Sequence, residues 1–405
     1  MNQLQELKQV IEEEQETLPS DGAKIGYAID HFGLTIDEIS DCAKKVGLSE
    51  ISIVELLTST ERSGKNVSEA VQFLKDYTAE TVKLTQEERK KEYLQTSSLG
   101  YLQTFNDAIT ASQNRKVVST GFKSLDKVLD GGLYDGLYIV GAIPSLGKTT
   151  MIMQIADYIA MQGTDVLIFS LEMSHFELMA RSISRLTARR YSNTPNDPKV
   201  QKTARGIMDG SRYQFYSDDE LRQIAYAKNA YSTYAEHIYI IEGMGDVGVK
   251  HIRERAEKHV EITGNTPIIV VDYVQILSPY NVKASDKQNI DRAMVELKRL
   301  SRDLCTSVIG ISSFNRSNYN SKAVFSAFKE SGSLEYGSDV VIGLQLEGAG
   351  DADFDSTEAK NRSPREVEAL ILKNRNGKTG DTILFDYYPQ VNLFRDRGIK
   401  GDRYV

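Results

Sequence analysis

The stretch Gly141-Ala-Ile-Pro-Ser-Leu-Gly147-Lys148-Thr149-Thr150 fits the pattern G-x-x-x-x-G-K-[ST] in full. Before it stands the run Leu137-Tyr-Ile-Val140; after it comes Met151-Ile-Met-Gln-Ile-Ala-Asp-Tyr-Ile-Ala-Met-Gln162, apolar with a helical period. A strand, a glycine-rich turn and a helix in that order form the setting of a phosphate-binding loop. Glycine lets the backbone close round phosphates, and the amide N–H groups at the helix start supply partial positive charge. Gly141, Ser145, Gly147 and Thr150 are therefore expected to cradle a nucleotide, ATP being the natural occupant. Lys148 is expected to pair with its β- and γ-phosphates, and the Thr149 hydroxyl to ligate Mg²⁺.

Such a loop needs an acidic partner. Pro267-Ile-Ile-Val-Val-Asp272 supplies one, a buried strand ending in a carboxylate. At the mouth of a parallel sheet Asp272 would hold the metal ion. Glu172 ends a second such run in Phe169-Ser-Leu-Glu-Met-Ser, on the strand that follows the loop's helix. A carboxylate there can orient and deprotonate a water attacking the γ-phosphate. Taken alone, a glutamate opening a helix is more often a partner of the helix dipole.

Further out, short β-branched runs at 137–140, 166–169, 238–241, 268–271, 308–311 and 340–344 alternate with helical patterns. One of these has Ile290, Met294, Leu297, Leu300 and Leu304 on a single face. That alternation predicts an α/β fold, a mostly parallel sheet covered by helices on both faces. The strand-like pieces ALILK, TILFDYY and VNLF around Asn376-Gly377 predict a C-terminal β-hairpin.

The first 115 residues read as helix. Leu4, Leu7, Val10 and Ile11 suit one helical face, and Val67 to Thr81 another. Between them a helix with Ile36, Ile39, Ala43 and Val46 opens on Thr35 with Glu38 three later, a capping box, and stops at Gly47. Ser98-Leu-Gly-Tyr-Leu-Gln-Thr-Phe-Asn-Asp-Ala-Ile109 is a last helical piece before the polar run TASQNRK. The expected division is a helical domain over 1–96, a linker helix and linker over 97–116, and the α/β domain over 117–405.

The 405 residues are 40% hydrophobic and 26% charged, an ordinary globular mixture with room for two or three domains. Two cysteines, Cys42 and Cys305, exclude a disulfide scaffold. No run approaches the ~18 apolar residues of a membrane helix, and the polar start lacks a signal peptide's apolar core. A cytoplasmic protein without membrane contact is expected. Of the net charge of −8, residues 1–115 carry all, with 12 Lys+Arg against 20 Asp+Glu. Residues 360–405 hold 10 Lys+Arg against 6 Asp+Glu. The acidity does not argue against nucleic acid; it argues that the N-terminal part does not touch a phosphate backbone.

Seven phrases together resemble the DnaB-type replicative helicases, within the RecA-like ATPases, over about residues 117–397. In the family's order they are Thr120-Gly-Phe-Lys-Ser-Leu-Asp; the phosphate loop; Phe169-Ser-Leu-Glu-Met-Ser; Val271-Asp-Tyr-Val-Gln-Ile-Leu; Ile311-Ser-Ser-Phe-Asn-Arg316; Lys329-Glu-Ser-Gly-Ser-Leu-Glu335; and Lys373-Asn-Arg-Asn-Gly-Lys-Thr-Gly380. The resemblance implies a ring, a hexamer in this family, that hydrolyses ATP with Mg²⁺ at subunit interfaces, translocates on single-stranded DNA and unwinds duplex. It makes Glu172 the catalytic base and Asp272 the metal-side carboxylate. Lys373 and Arg375 match the pair that reaches a neighbouring subunit's γ-phosphate; on composition alone their stretch reads as a basic turn with solvated charges. Lys329, Glu330 and Gly332 match the central-channel loop that tracks DNA phosphates, with Lys329 where arginine is usual, so the bidentate fork is lost. Ser313 stands where the family has a phosphate-sensing glutamine, a shorter side chain. A primase or a helicase loader is the partner the resemblance implies.

The N-terminal region departs from the family. Gly33 to Val54 resembles a helix-turn-helix, yet its acidity favours protein docking or a collar over DNA reading. The unusual N-terminus suits a phage or mobile-element origin. A RecA-, RadA- or KaiC-like ATPase acting in recombination or regulation without unwinding is the alternative. The extra zinc finger or second ATPase domain typical of RadA- and KaiC-like proteins is not visible.

Overall fold

The computed structural model describes residues 117–402 apart from 189–197, 244–246, 316–320, 329–331 and 333–336. Before them it describes 26, 30, 33–46, 49, 52–57, 83, 86–91, 93–94 and 96–112. The chain forms two compact units, Met1–Arg115 and Lys116–Val405.

The second unit carries a nine-stranded sheet of order β3-β2-β4-β5-β1-β6-β7-β8-β9. The strands are β1 Gly136–Ala142, β2 Val166–Ser170, β3 Ile238–Glu242, β4 Ile268–Asp272, β5 Ser307–Ser313, β6 Val340–Leu346, β7 Arg365–Asn374, β8 Thr382–Tyr388 and β9 Leu393–Ile399. From β3 to β6 every pairing is parallel; from β6 to β9 every pairing is antiparallel. All residues of β1, β2, β4 and β6 are buried. Successive side chains of a strand point to opposite faces, so unbroken burial requires cover on both. That is why these runs read as continuous β-branched segments, whereas β8 alternates buried and half-buried residues.

The longer helices are α1 Ile36–Val46 and α2 Ser98–Ser112 in the first unit. In the second they are α3 Lys148–Met161, α4 His175–Thr187, α5 Asp218–Ser232, α6 Val249–Thr263 and α7 Asp286–Asp303. α7 packs on β1 and β5, and α3 on β1, β2 and β3. Met294, Leu297 and Leu300 of α7 are completely buried, as their spacing predicts. Among the described residues no helix is long and apolar enough to cross a membrane.

In the first unit the expected capping box at the start of α1 is formed. The Glu38 N–H donates to Thr35 Oγ1 at 3.2 Å, and the Thr35 N–H donates to Glu38 Oε2 at 3.0 Å. Ile39, Ile53, Val54 and Leu57 are buried. The helical faces expected at Leu4–Ile11 and Val67–Thr81, and the stop at Gly47, lie outside the described residues.

The C-terminal hairpin is wider than Asn376-Gly377 suggests. The last β7–β8 pair is Leu370 with Thr382. The link closes where Gly380 N–H donates to the Ile371 carbonyl at 2.8 Å. The left-handed φ of +89° falls on Gly380; Gly377 has none. The expected hairpin is formed by β7 and β8, with Asn376-Gly377 inside a longer connecting loop, and it extends into a third antiparallel strand, β9.

Candidate functional site

β1 delivers the chain to the C-terminal edge of the parallel strands at Ala142, and α3 begins six residues later at Lys148. Between them Ser145 and Gly147 hold φ of +63° and +91°, which turns the backbone tightly. Gly147 is doubly constrained: a Cβ there would lie 2.8 Å from Tyr387 Cζ and 2.9 Å from Phe394 Cζ. Gly141 lies within β1, and a Cβ on it would stand 2.1 Å from Phe328 Cε1. The packing of that aromatic ring thus requires glycine there.

The parallel register assembles the acidic side. β2 and β4 pair Ser170 with Asp272, so Asp272 ends its strand beside the chain that runs on to Glu172. The Leu171 N–H donates to the Asp272 carbonyl at 2.8 Å. Thr149 Oγ1 donates to Asp272 Oδ2 at 2.8 Å. On the other side β1 and β5 pair Ala142 with Ser313. The half-buried Lys148 amine donates to the Ala142 carbonyl at 3.0 Å and to Ser313 Oγ at 3.2 Å. Lys148, Thr149, Glu172, Asp272 and Ser313 all line one cleft of about 780 Å³.

The cleft is lined by three carboxylates, Glu172, Glu177 and Asp272, and by three cations, Lys148, Arg181 and Arg365. Asp272 is 3% exposed. Its carboxyl is pushed up to about 6, by burial first; the Thr149 hydrogen bond opposes this, the Glu172 charge adds to it, and Lys148 and Arg181 oppose it. Glu172 is exposed at the mouth. The donor set at Thr149 and Asp272 consists of hard oxygens, which suits Mg²⁺. Thr150, in the first turn of α3, is 1% exposed, and its hydroxyl has no hydrogen-bond partner among the described residues. An orphaned hydroxyl beside a loop of left-handed residues fits a phosphate acceptor.

Not every expected residue joins the cleft. Lys373 donates to the Ser338 carbonyl at 2.8 Å, and Arg375 Nη1 pairs with Asp339 Oδ1 at 3.4 Å. Asp339 also pairs with Lys298 and accepts the Leu137 N–H at 2.7 Å. These contacts belong to the N-terminal edge of β1 and β6. The seven residues of β1 separate that edge from the phosphate loop, roughly 20 Å at the usual rise per residue. Lys329 and Glu330 lie outside the described residues. Gly332 is exposed, with nothing within 4 Å of an added Cβ.

Other residues enter the cleft unannounced by any motif. Glu177 and Arg181 line it from α4, four residues apart and so on one face; that spacing was available in the sequence. Arg365 and Tyr387 line it because β7 and β8 pair them in register, and no local pattern encodes that pairing. Arg365 Nη1 donates to the Ser145 carbonyl at 3.0 Å, and its guanidinium lies 6.0 Å from the Tyr387 ring centre. Asn392 lines the cleft from the turn after β8.

Residues 117–396 match the family model of the DnaB-like helicase C terminal domain. The replicative DNA helicase DnaB of Pasteurella multocida is 29% identical over 293 residues, 70% of this chain and 57% of that protein. The replicative DNA helicase DnaC of Bacillus subtilis is 28% identical over 313 residues, 74% of this chain and 63% of that protein. The chain thus spans under two thirds of the length of these relatives. Among solved structures, a DnaB-like replicative helicase studied for its interactions with primase superposes with a TM-score of 0.63. That match has 22% identity and covers 90% of this chain and 88% of the other.

Proposed function

The chain belongs to the DnaB-like helicases through its C-terminal domain, and on that premise we propose that it is the ATP-driven motor of a ring-forming replicative DNA helicase. The observation that carries this reading is the single cleft shared by Lys148, Thr149, Glu172 and Asp272. Lys148 and the turn at Ser145–Gly147 bind and orient the phosphates. Thr149 and Asp272 would hold Mg²⁺, which supplies charge neutralisation on the phosphate oxygens when bound. Glu172, exposed at the mouth, accepts the proton of the attacking water. Ser313, within hydrogen-bond reach of the Lys148 amine, replaces the glutamine of related helicases with a shorter hydroxyl.

Arg375 and Lys373 complete the site of a neighbouring subunit, since the sheet holds them at the edge opposite their own phosphate loop. An arginine supplied in trans is worth about 10³–10⁵ in rate in comparable hydrolases. Residues 1–96 form a docking or collar domain and 97–116 the linker. In α2, Leu99 is 81% and Phe105 60% exposed, apolar surface that suits packing on an adjacent subunit of a hexamer. Lys329, Glu330 and Gly332 track single-stranded DNA. A primase or a loader is the expected partner, in the cytoplasm.

The test is unwinding of a forked duplex with Mg-ATP. The parent chain should separate the strands, and Lys148→Ala should lose both ATP turnover and unwinding while keeping its fold. Retained turnover in Lys148→Ala, or turnover by the parent with no unwinding under any condition, would overturn the reading.

A further inference from the structure

One wall of the cleft is built by the end of β8, through Tyr387, and by the β8–β9 turn, through Pro389 and Asn392. Tyr387 and Phe394 stack at 4.3 Å and 11°, and both rings lie against Gly147. The wall therefore starts where the phosphate loop ends. Phe394 is buried at 1% exposure and Tyr387 at 6%, so the rings form the backing of the wall, and the edge of Tyr387 with Pro389 and Asn392 faces the cleft. That largely uncharged face suits the ribose and base beyond the phosphates.

This turn is remote in sequence from helix α3, yet two sets of polar contacts lock them together. The Gln154 side chain engages both backbone groups of Phe394, 240 residues away. Its Nε2 donates to the Phe394 carbonyl at 2.9 Å, and its Oε1 accepts the Phe394 N–H at 2.9 Å. Arg185 of α4, 1% exposed, donates through Nη1 to the Asn392 carbonyl at 3.1 Å. Through Nη2 it donates to Ser182 Oγ at 3.1 Å and to the Asp157 carboxylate on α3. Asp157, 2% exposed, also accepts from Ser182 Oγ at 3.2 Å.

No step of the reaction uses Arg185 or Asp157. Burying both charges costs desolvation that an apolar pair would avoid. What the pair provides is geometry: one guanidinium, planar and forked, joins α3, α4 and the β8–β9 turn at a single point. We propose that Arg185, backed by Asp157 and Gln154, is a positioning residue for the nucleotide, holding the Tyr387–Asn392 wall preformed for ribose and base. The inference rests on reading the cleft as a nucleotide site.

Equilibrium binding of Mg-ATP and of magnesium tripolyphosphate to the full chain tests it. Arg185→Met combined with Asp157→Leu replaces the pair by apolar groups of similar volume, which buried pairs commonly tolerate. The double variant should melt like the parent and bind tripolyphosphate as the parent does. Its Kd for Mg-ATP should rise about tenfold, which is about 1.4 kcal/mol. Arg185→Lys, which reaches fewer acceptors, and Gln154→Leu should each shift ATP alone in the same direction. If the double variant does not fold, these two decide. Unchanged ATP affinity in folded variants overturns the proposal, as does an equal loss for ATP and tripolyphosphate. If the parent binds neither, the nucleotide reading itself fails and the proposal falls with it.

Discussion

Asp272 is held between burial, which favours its neutral form, and polar neighbours that favour its charged form. Burial, with the Glu172 charge adding to it, raises its carboxyl to about 6, although the Thr149 hydroxyl, Lys148 and Arg181 favour the charged form. An unfolded aspartate loses its proton near ~4. A carboxyl raised on folding contributes stability that is whole below about 4 and is lost as pH rises through about 6. At pH 8 the metal-free protein therefore carries a destabilising carboxylate, on the order of 1–3 kcal/mol. Asp272→Asn should melt higher than the parent at pH 8 without metal, with the gap closing towards pH 4, while turnover is abolished. Thermal melts across that range check this; no gain at pH 8 would mean that the carboxylate is adequately paired as it stands. Asp272 is legible as a strand-end carboxylate because a buried parallel strand announces itself by its β-branched run, whereas Glu172, expected to end its strand, lies two residues past β2. Arg181 was half-legible, through its i,i+4 spacing from Glu177.

At the scale of elements, the loop between β7 and β8 presents Arg375 at the edge of the sheet opposite the phosphate loop. Arg375 is paired with its own chain's Asp339 at 3.4 Å, yet 58% of its side chain is exposed. Asp339 is buried but is also held by Lys298 and the Leu137 N–H, so losing the 3.4 Å contact leaves no buried carboxylate unpaired. The arginine is thus held loosely and released at little cost. On the proposed reading, Arg375→Ala should bind nucleotide normally and hydrolyse it about 10³-fold more slowly. Mixed with Lys148→Ala, it should regain activity, since some interfaces then combine an intact loop with an intact arginine. ATPase titrations of the mixture decide: full activity of Arg375→Ala at every concentration removes the arginine from the site. If subunits exchange yet activity is never rescued, the arginine acts within its own chain.

For the whole molecule, the second unit carries its own buried apolar cluster, which among the described residues runs from Phe122 to Phe394. The second unit should therefore fold alone. A chain of residues 116–405 should keep a cooperative melt and bind Mg-ATP, but lose the large assembly, because α2 and its exposed Leu99, Leu102 and Phe105 are gone. Light scattering of the two chains at equal concentration measures this. A ring with the same number of subunits without α2 would assign assembly to the second unit by itself. The charge division agrees with separate tasks: the N-terminal part is acidic, and the basic C-terminal stretch lies in the unit proposed to meet DNA.

What the chain's order of residues determined by itself was local and periodic. The strand–loop–helix at 137–162, the buried parallel strands, the capping box at Thr35 and the carboxylates at 172 and 272 each follow from a pattern a few residues long. Short-range sterics and burial set such patterns, so neighbours in sequence suffice to read them. Only the tertiary structure decided which strand ends meet. The register of β7 on β8 brings Arg365 beside Tyr387, and the sheet order puts Arg375 far from its own phosphate loop. The need for glycine at 141 and 147 likewise comes from Phe328, Tyr387 and Phe394, rings more than 180 residues away in the chain. Arg185 belongs to no sequence motif, and the fold encloses it among Asp157, Ser182 and Asn392. Contacts of that kind depend on how distant segments pack, and no local spacing records them.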